Sequence, residues 1–308
     1  MKIIVTGGFG FLGTHVTAVL QQAGHEVVPC SRQSGVDLRD RERASQFFGD
    51  QQADFVVHCA AHVGGIAYNE LHPVEIFNDN IEIGQGLLYA MESAGIRNLI
   101  NVMPNCTYPG GKTLYVEEEW WDGAIHPSVL AYGFPRKLLW GLTRAHAKKW
   151  GLRSIHLIFP NMYGIGDHFD PVRSHALGAL IGKIITAKQV GTPEAVIWGT
   201  GKPVREWLYV EDGSQAINRV LERFESVCQI EDGVLNIGVG KGISITDMAE
   251  TIKRYVGWNG RFIYDTNRPD GDMIKRMDAT RMRQILDWTP PTPFAGGVAK
   301  TVQARMRR

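Results

Sequence analysis

The sequence predicts an α/β chain, a doubly wound parallel sheet followed by a smaller C-terminal substrate-binding domain, on three observations. Apolar strand patterns alternate with amphipathic helix patterns through the first half. A glycine-punctuated turn follows the first strand directly. Beyond about residue 160 the alternation loosens into polar, Gly/Pro-rich loops.

The elements follow in order. Lys2–Thr6 is a short apolar run that ends in glycines. Leu12, Val16, Leu20 and Ala23 mark one face of the next helix, and Gly24 stands where a helix stops. Further strands are expected at 26–30, 54–58, 98–102 and 154–158, separated by helices around 40–48, 80–94 and 134–150. Strands joined by single helices make right-handed crossovers and hence a parallel sheet. The expected organisation is one domain over 1–165, with about 202–236 returning to it, and a second over 166–201 and 237–308. The stretches GIGDHFDPVRSH and DTNRPDGDMIK read as loops suited to closing over a substrate. The Arg-rich tail, Ala304 to Arg308, is expected to fray.

Composition excludes several classes. The 308 residues are 44% hydrophobic and 21% charged, which is ordinary for a globular protein. Lys plus Arg number 33 against 32 acids, so a net charge of +1 offers no field for nucleic acid. No apolar run approaches a membrane span. The start, MKIIVTGG, reads as a strand and not as a signal peptide. Cys30, Cys59, Cys106 and Cys228 show no metal-type pairing, so no metal is expected; reduced thiols in the cytoplasm are.

Thr6-Gly-Gly-Phe-Gly-Phe-Leu-Gly13 sets glycines at 7, 10 and 13 between a strand and a helix. Gly7 permits the tight turn, Gly10 lets backbone approach a pyrophosphate, and Gly13 lets helix pack on strand. The amides at Phe11, Leu12 and Gly13 then open a helix whose positive end faces the phosphates. This is a dinucleotide site of Rossmann type. The second strand ends in Cys30-Ser31-Arg32, without the acid that would hold the ribose 2′-hydroxyl of NAD. Ser31 and Arg32 instead suit a 2′-phosphate, which makes NADP the expected cofactor and NAD the less favoured one.

The glycine spacing resembles the extended short-chain dehydrogenases/reductases, and further motifs narrow the likeness. Ala60-Ala-His-Val-Gly-Gly-Ile66, Pro73…Phe77-Asn-Asp-Asn80, Cys106-Thr-Tyr-Pro109 and Pro160-Asn-Met-Tyr-Gly164 resemble the GDP-L-fucose synthase family. Asp167-His-Phe-Asp-Pro171, Ser174-His175, Trp198-Gly-Thr-Gly-Lys-Pro-Val-Arg-Glu206 and Arg268-Pro-Asp-Gly271 with Lys275 continue it over nearly the whole chain. The resemblance implies an intracellular enzyme acting on a GDP-linked 4-keto sugar, and a homodimer formed through the helices that carry Tyr132. It implies that Asp37-Leu38 contacts adenine and that Ala60 and Ala61 form part of the cofactor wall.

In such enzymes a Cys and a His exchange protons beside a C4 ketone, and a Ser-Tyr-Lys set then serves reduction by NADPH. The ketone acidifies its neighbouring C–H bonds, so an acid–base group on each face inverts a stereocentre through an enolate. Cys106 and His175 match the epimerising pair, and Tyr132 matches the catalytic tyrosine. Two positions depart. Arg136 stands where the family has lysine, and Pro104 stands where it has serine. Lys137 is not a displaced equivalent, since one residue along a helix turns about 100° away. Proline has neither hydroxyl nor N–H to offer a carbonyl, and loss of a preorganised oxyanion donor costs about a hundred- to a thousandfold. Asn105 is the first substitute donor to consider and Thr107 the second. Pro104→Ser with Arg136→Lys is accordingly expected to raise NADPH oxidation. Arg205 and Lys275 match positions that hold the diphosphate, Asn161 a phosphate-side contact, and Trp198 a cover for guanine or sugar. The expected function is epimerisation of a GDP-4-keto hexose with altered reductase residues. The alternatives are a bifunctional epimerase/reductase and a non-catalytic nucleotide-sugar binder.

Overall fold

The computed structural model describes residues 1–170, 174, 176–268 and 270–307, the side chains of Ile66 and Ala67 excepted. Six parallel strands form the main sheet, in the spatial order Val234–Asn236, Arg153–Phe159, Asn98–Pro104, Phe55–His58, Lys2–Thr6, Glu26–Cys30. The chain runs from the first strand outward to the second, then crosses back so that the third pairs on the other side. The switch point therefore lies between Lys2–Thr6 and Phe55–His58, and the glycine turn sits at its carboxyl edge. That is where open α/β sheets bind their ligands.

The strands are buried on both faces because side chains alternate. Ile3 and Val5 face one layer with Val16, Leu20, Ile217 and Met282. Ile4 faces the other with Phe48, Leu87, Leu88 and Leu139. Helices Phe11–Gln22 and Val210–Glu222 cover the first face. Helices Arg41–Gln51, Pro73–Ala94 and Leu130–Trp150 cover the second.

A separate core gathers Leu177, Ile181, Trp207, Met248, Ile252 and Val298. Beside it a smaller sheet orders Gly242–Ser244, Val204–Tyr209, Ile274–Met277 and Leu114–Tyr115, with Asn161–Tyr163 also paired to Val204–Tyr209. The strand Val204–Tyr209 thus belongs to the smaller sheet, while Val234–Asn236 edges the large one. The tail departs from expectation. Helix Phe294–Met306 includes its first residues, because Val298, Thr301 and Val302 are buried at helical spacing and hold the last turns down. Arg308 lies outside the described residues.

Candidate active site

At the cofactor end, Gly7 has a φ of +68°, and a Cβ there would sit 2.8 Å from Ala60 N. At Gly13 a Cβ would meet Gly7 O at 2.1 Å, so the first helix packs on the turn only without a side chain. Helix Phe11–Gln22 starts at Gly10, with no side-chain cap over its amides. A bare helix end beside a glycine turn fits a pyrophosphate. Ser31 caps a short 3₁₀ turn, its Oγ accepting from Gln33 N at 3.1 Å. The neighbouring Arg32 is exposed, and its side chain makes no hydrogen bond among the described residues. Leu38 is buried. The Asp37 carboxylate takes both Nε and Nη2 of Arg39, whose Nη1 reaches Asp79 at 2.7 Å. The Arg39 bond holds Asp37 below the usual carboxylate range. His62, one residue past Ala61, donates from Nδ1 to the other Asp79 oxygen at 2.8 Å.

At the chemical end, the strand Asn98–Pro104 runs into a 3₁₀ turn, Asn105–Thr107. A Cβ at Gly133 would lie 2.6 Å from Cys106 O. Glycine at that point lets the turn close directly on helix Leu130–Trp150, which brings Cys106 beside Tyr132. Burial pushes the Cys106 thiol up to about 12, with Lys275 and then Arg136 pulling it down. Burial likewise pushes the Tyr132 phenol up to about 12 against the pull of Arg136. The Tyr132 hydroxyl has no partner among the described residues. Thr107 does not serve as the substitute donor. It is buried, donates to Pro104 O at 2.8 Å and accepts the Trp120 indole N–H at 3.0 Å. Asn105 keeps its side-chain amide free of any partner among the described residues. Lys137 turns away, its ammonium 4.3 Å from the Trp121 ring centroid and bonded to Trp120 O. His175 lies outside the described residues.

On the smaller sheet Arg205 and Lys275 are register partners, which sets two cations side by side. Lys275 pairs with Asp272 at 2.7 Å, and Arg205 donates to Val204 O at 2.9 Å. Asn161 donates to Glu206 O at 3.2 Å. Trp198 is 60% exposed, with the Arg268 guanidinium 5.0 Å from its ring. Asp270 binds Thr200 N and Oγ1, both at 2.7 Å, which ties the Trp-Gly-Thr-Gly turn to the Arg-Pro-Asp-Gly loop.

Two groups escaped the sequence reading. One is the Arg39–Asp79–His62 cluster. The other is a set of buried polar side chains around Arg136: Thr6, His58, Asn101 and His156. Thr6 and His58 end their strands and Asn101 and His156 lie inside theirs, so no shared sequence position marked them.

A glycine-turn nucleotide cradle, a tyrosine with a basic residue four places on, and a second lobe carrying cations define a dinucleotide-dependent enzyme of the extended short-chain type. Residues 3–238 match the NAD dependent epimerase/dehydratase family, and the chain belongs to it. A GDP-L-fucose synthase from Azorhizobium caulinodans is 33% identical over 304 residues, covering 98% of this chain and 95% of the relative. The Escherichia coli GDP-L-fucose synthase is 29% identical over 308 residues, covering 98% and 95%. Among solved structures, a GDP-L-fucose synthetase from Naegleria fowleri bound to NADP is 25% identical with a TM-score of 0.88, covering 99% and 94%. A GDP-6-OMe-4-keto-L-xylo-heptose reductase from Campylobacter jejuni shares the fold, with a TM-score of 0.91 at 23% identity, covering 99% and 97%.

Proposed function

We propose that this enzyme epimerises a GDP-4-keto hexose by proton transfer at Cys106 and His175, and that its hydride step is slow. The observation that carries this is the pairing of Cys106 with Tyr132 across Gly133, within the charges of Arg136 and Lys275. The GDP-sugar names of the full-length relatives support the substrate class. NADPH, when bound, supplies the hydride, and the glycine turn, Ser31 and Arg32 would hold it. Arg205 and Lys275 clasp the diphosphate, Asn161 stands beside it, and Trp198 covers guanine or sugar.

As folded, Cys106 carries its proton, so it first serves as an acid to a carbanion formed beside the ketone. The thiolate left behind is then the base for the reverse direction. Tyr132 holds the proton destined for the C4 oxygen. Pro104 gives that oxygen nothing, and the Thr107 hydroxyl is spent inside the turn, which leaves Asn105 as the second donor. An amide there in place of a hydroxyl is the reason hydride transfer lags. The same unpartnered Asn105 is what favours the bifunctional reading. The cytoplasm is the compartment we assign. Among the described residues no helix is long and apolar enough to cross a membrane. Phe134 and Leu138 lie exposed on the helix that carries Tyr132, and they suit a homodimer.

The test is incubation with GDP-4-keto-6-deoxymannose in D₂O, followed by mass spectrometry. Deuterium should enter beside the ketone, and Cys106→Ser should depress it strongly, because a hydroxyl is a far weaker acid than a thiol and leaves far less of its conjugate base for the return step. Undiminished exchange in that variant would overturn the assignment.

A further inference from the structure

Arg136 is the one residue of the site whose charge is both permanent and buried, at 2% exposed. Its partners are unusual for a buried cation. Nη1 donates to His58 Nε2 and to Ala60 O, both at 3.1 Å. Nη2 donates to Asn101 Oδ1 at 3.2 Å and to Val102 O. None of these is a carboxylate, although a buried ion ordinarily needs a counter-ion. Nε is buried with no partner among the described residues.

The side-chain partners belong to a ladder that only the sheet register creates. Thr6 pairs with His58, His58 with Asn101, and Asn101 with His156, so four adjacent strands present a polar residue at one level. The centre of a parallel sheet is normally apolar, and all four of these side chains are buried.

The hydrogen bonds fix every proton, because a guanidinium only donates. His58 Nε2 must accept from it, which leaves Nδ1–H to donate to Thr6 Oγ1 at 2.7 Å. Asn101 Oδ1 must accept, so its Nδ2 donates to His156 Nδ1 at 2.8 Å. His156 Nε2–H then donates to Thr143 Oγ1 at 2.9 Å, and Thr143 donates to Trp140 O at 2.8 Å. Every bond dipole points outward from the cation. Burial, and then the Arg136 charge, hold His58 and His156 far below the ordinary imidazole range, so both remain neutral. The receiver therefore orients the guanidinium without cancelling its charge.

We propose that Thr6, His58, Asn101 and His156 are positioning residues, a neutral receiver that fixes the Arg136 guanidinium and leaves its whole charge to act on Tyr132, Cys106 and the anions formed between them. This rests on the epimerase reading for its catalytic consequence, but the electrostatic claim stands apart from it. The receiver is built for a fork. A lysine ammonium, a point charge with three donors, cannot meet four acceptors arranged for two parallel N–H pairs.

The decisive variant is Asn101→Asp, which keeps the acceptor and the shape, sets a carboxylate against the guanidinium and gives up the donor to His156 Nδ1. Its readouts are the thermal midpoint, the alkylation rate of Cys106 by iodoacetamide at fixed pH, followed on its own peptide, and deuterium exchange into GDP-4-keto-6-deoxymannose. The charged and titratable groups acting on Cys106 are Lys275, Arg136, Tyr132 and Tyr115, and the new carboxylate is added to them beside Arg136. We expect alkylation and exchange both slowed roughly tenfold, the equivalent of one pKa unit, in a protein that still folds. A normal midpoint with both rates unchanged would show that the ladder is structural only. Alkylation needs no substrate, so a slowed alkylation with no exchange even in the natural protein would retain the receiver and reject the epimerase. Should Asn101→Asp fail to fold, Arg136→Lys decides. The receiver predicts slower alkylation of Cys106 than in the natural protein, and an equal or faster rate overturns it.

Discussion

The two charged regions of the site hold their cations in opposite ways. On the smaller sheet Arg205 and Lys275 are half-buried, and Lys275 leans on Asp272. Such a pair can exchange its partner for a diphosphate, because the acid is released to water as the ligand arrives. On the large sheet Arg136 is buried among carbonyls and neutral side chains, with nothing to release. A cation held that way does not capture a ligand; it stabilises charge that appears during reaction, in a low-dielectric place where each charge counts for more. On the proposed reading, one protein uses mobile pairing to bind and fixed, unpaired charge to react.

Substitutions sharpen the contrast, and the largest effect belongs to the buried cation. Arg136→Met strands His58 Nε2, Ala60 O, Asn101 Oδ1 and Val102 O, at about 1–3 kcal/mol for each acceptor left without a donor. A large fall in the urea midpoint is expected, and a fall under 1 kcal/mol would mean that the network is not holding the sheet. Arg205→Ala should leave the fold intact and weaken GDP binding by about 1.5–3 kcal/mol, the scale of a charge-assisted hydrogen bond. NADPH affinity should barely move; calorimetry with both ligands reads the difference, and an unchanged GDP affinity would make this arginine a surface charge. Arg32→Ala should reduce the preference for NADPH over NADH by about 1.5 kcal/mol, since an exposed phosphate contact lies at the lower end of that range. A preference that survives the replacement would move 2′-phosphate recognition elsewhere.

A further effect concerns pH. Burial pushes the thiols of Cys30, Cys59 and Cys106 each up to about 12 from 9.0. Their raised folded-state values make the unfolded chain release protons first as pH rises above 9, while the fold retains them. Stability is therefore complete below about pH 9 and declines from there toward 12. Urea midpoints at pH 8 and pH 10 should differ in that direction, and a higher midpoint at pH 10 would refute the burial of these thiols.

The fold was legible because its signals are local. Alternation in Lys2–Thr6, the glycines that follow it and the helix faces behind them each lie within a dozen residues. Cys106 and Tyr132 were singled out only through resemblance, and their closeness, which the bare Gly133 allows, needed the structure. The Arg136 receiver was not legible at all. Residues 6, 58, 101 and 156 sit on four strands, and nothing but register makes them neighbours. Its consequence reverses half of one expectation. Pro104→Ser remains a change that should raise NADPH oxidation, but Arg136→Lys becomes a loss, because this chain has built its surroundings for the arginine.

The central claim is that proton exchange at this site outruns hydride delivery. The most direct measurement follows natural protein, GDP-4-keto-6-deoxymannose and NADPH in D₂O, recording deuterium in the sugar and NADPH absorbance from the same sample. The structure predicts that deuterium beside the ketone accumulates at least about tenfold faster than NADPH is consumed, given a lost oxyanion donor worth a hundredfold or more. Equal rates, with NADPH oxidised as fast as deuterium enters, would contradict it and make Asn105 a full replacement for the missing serine.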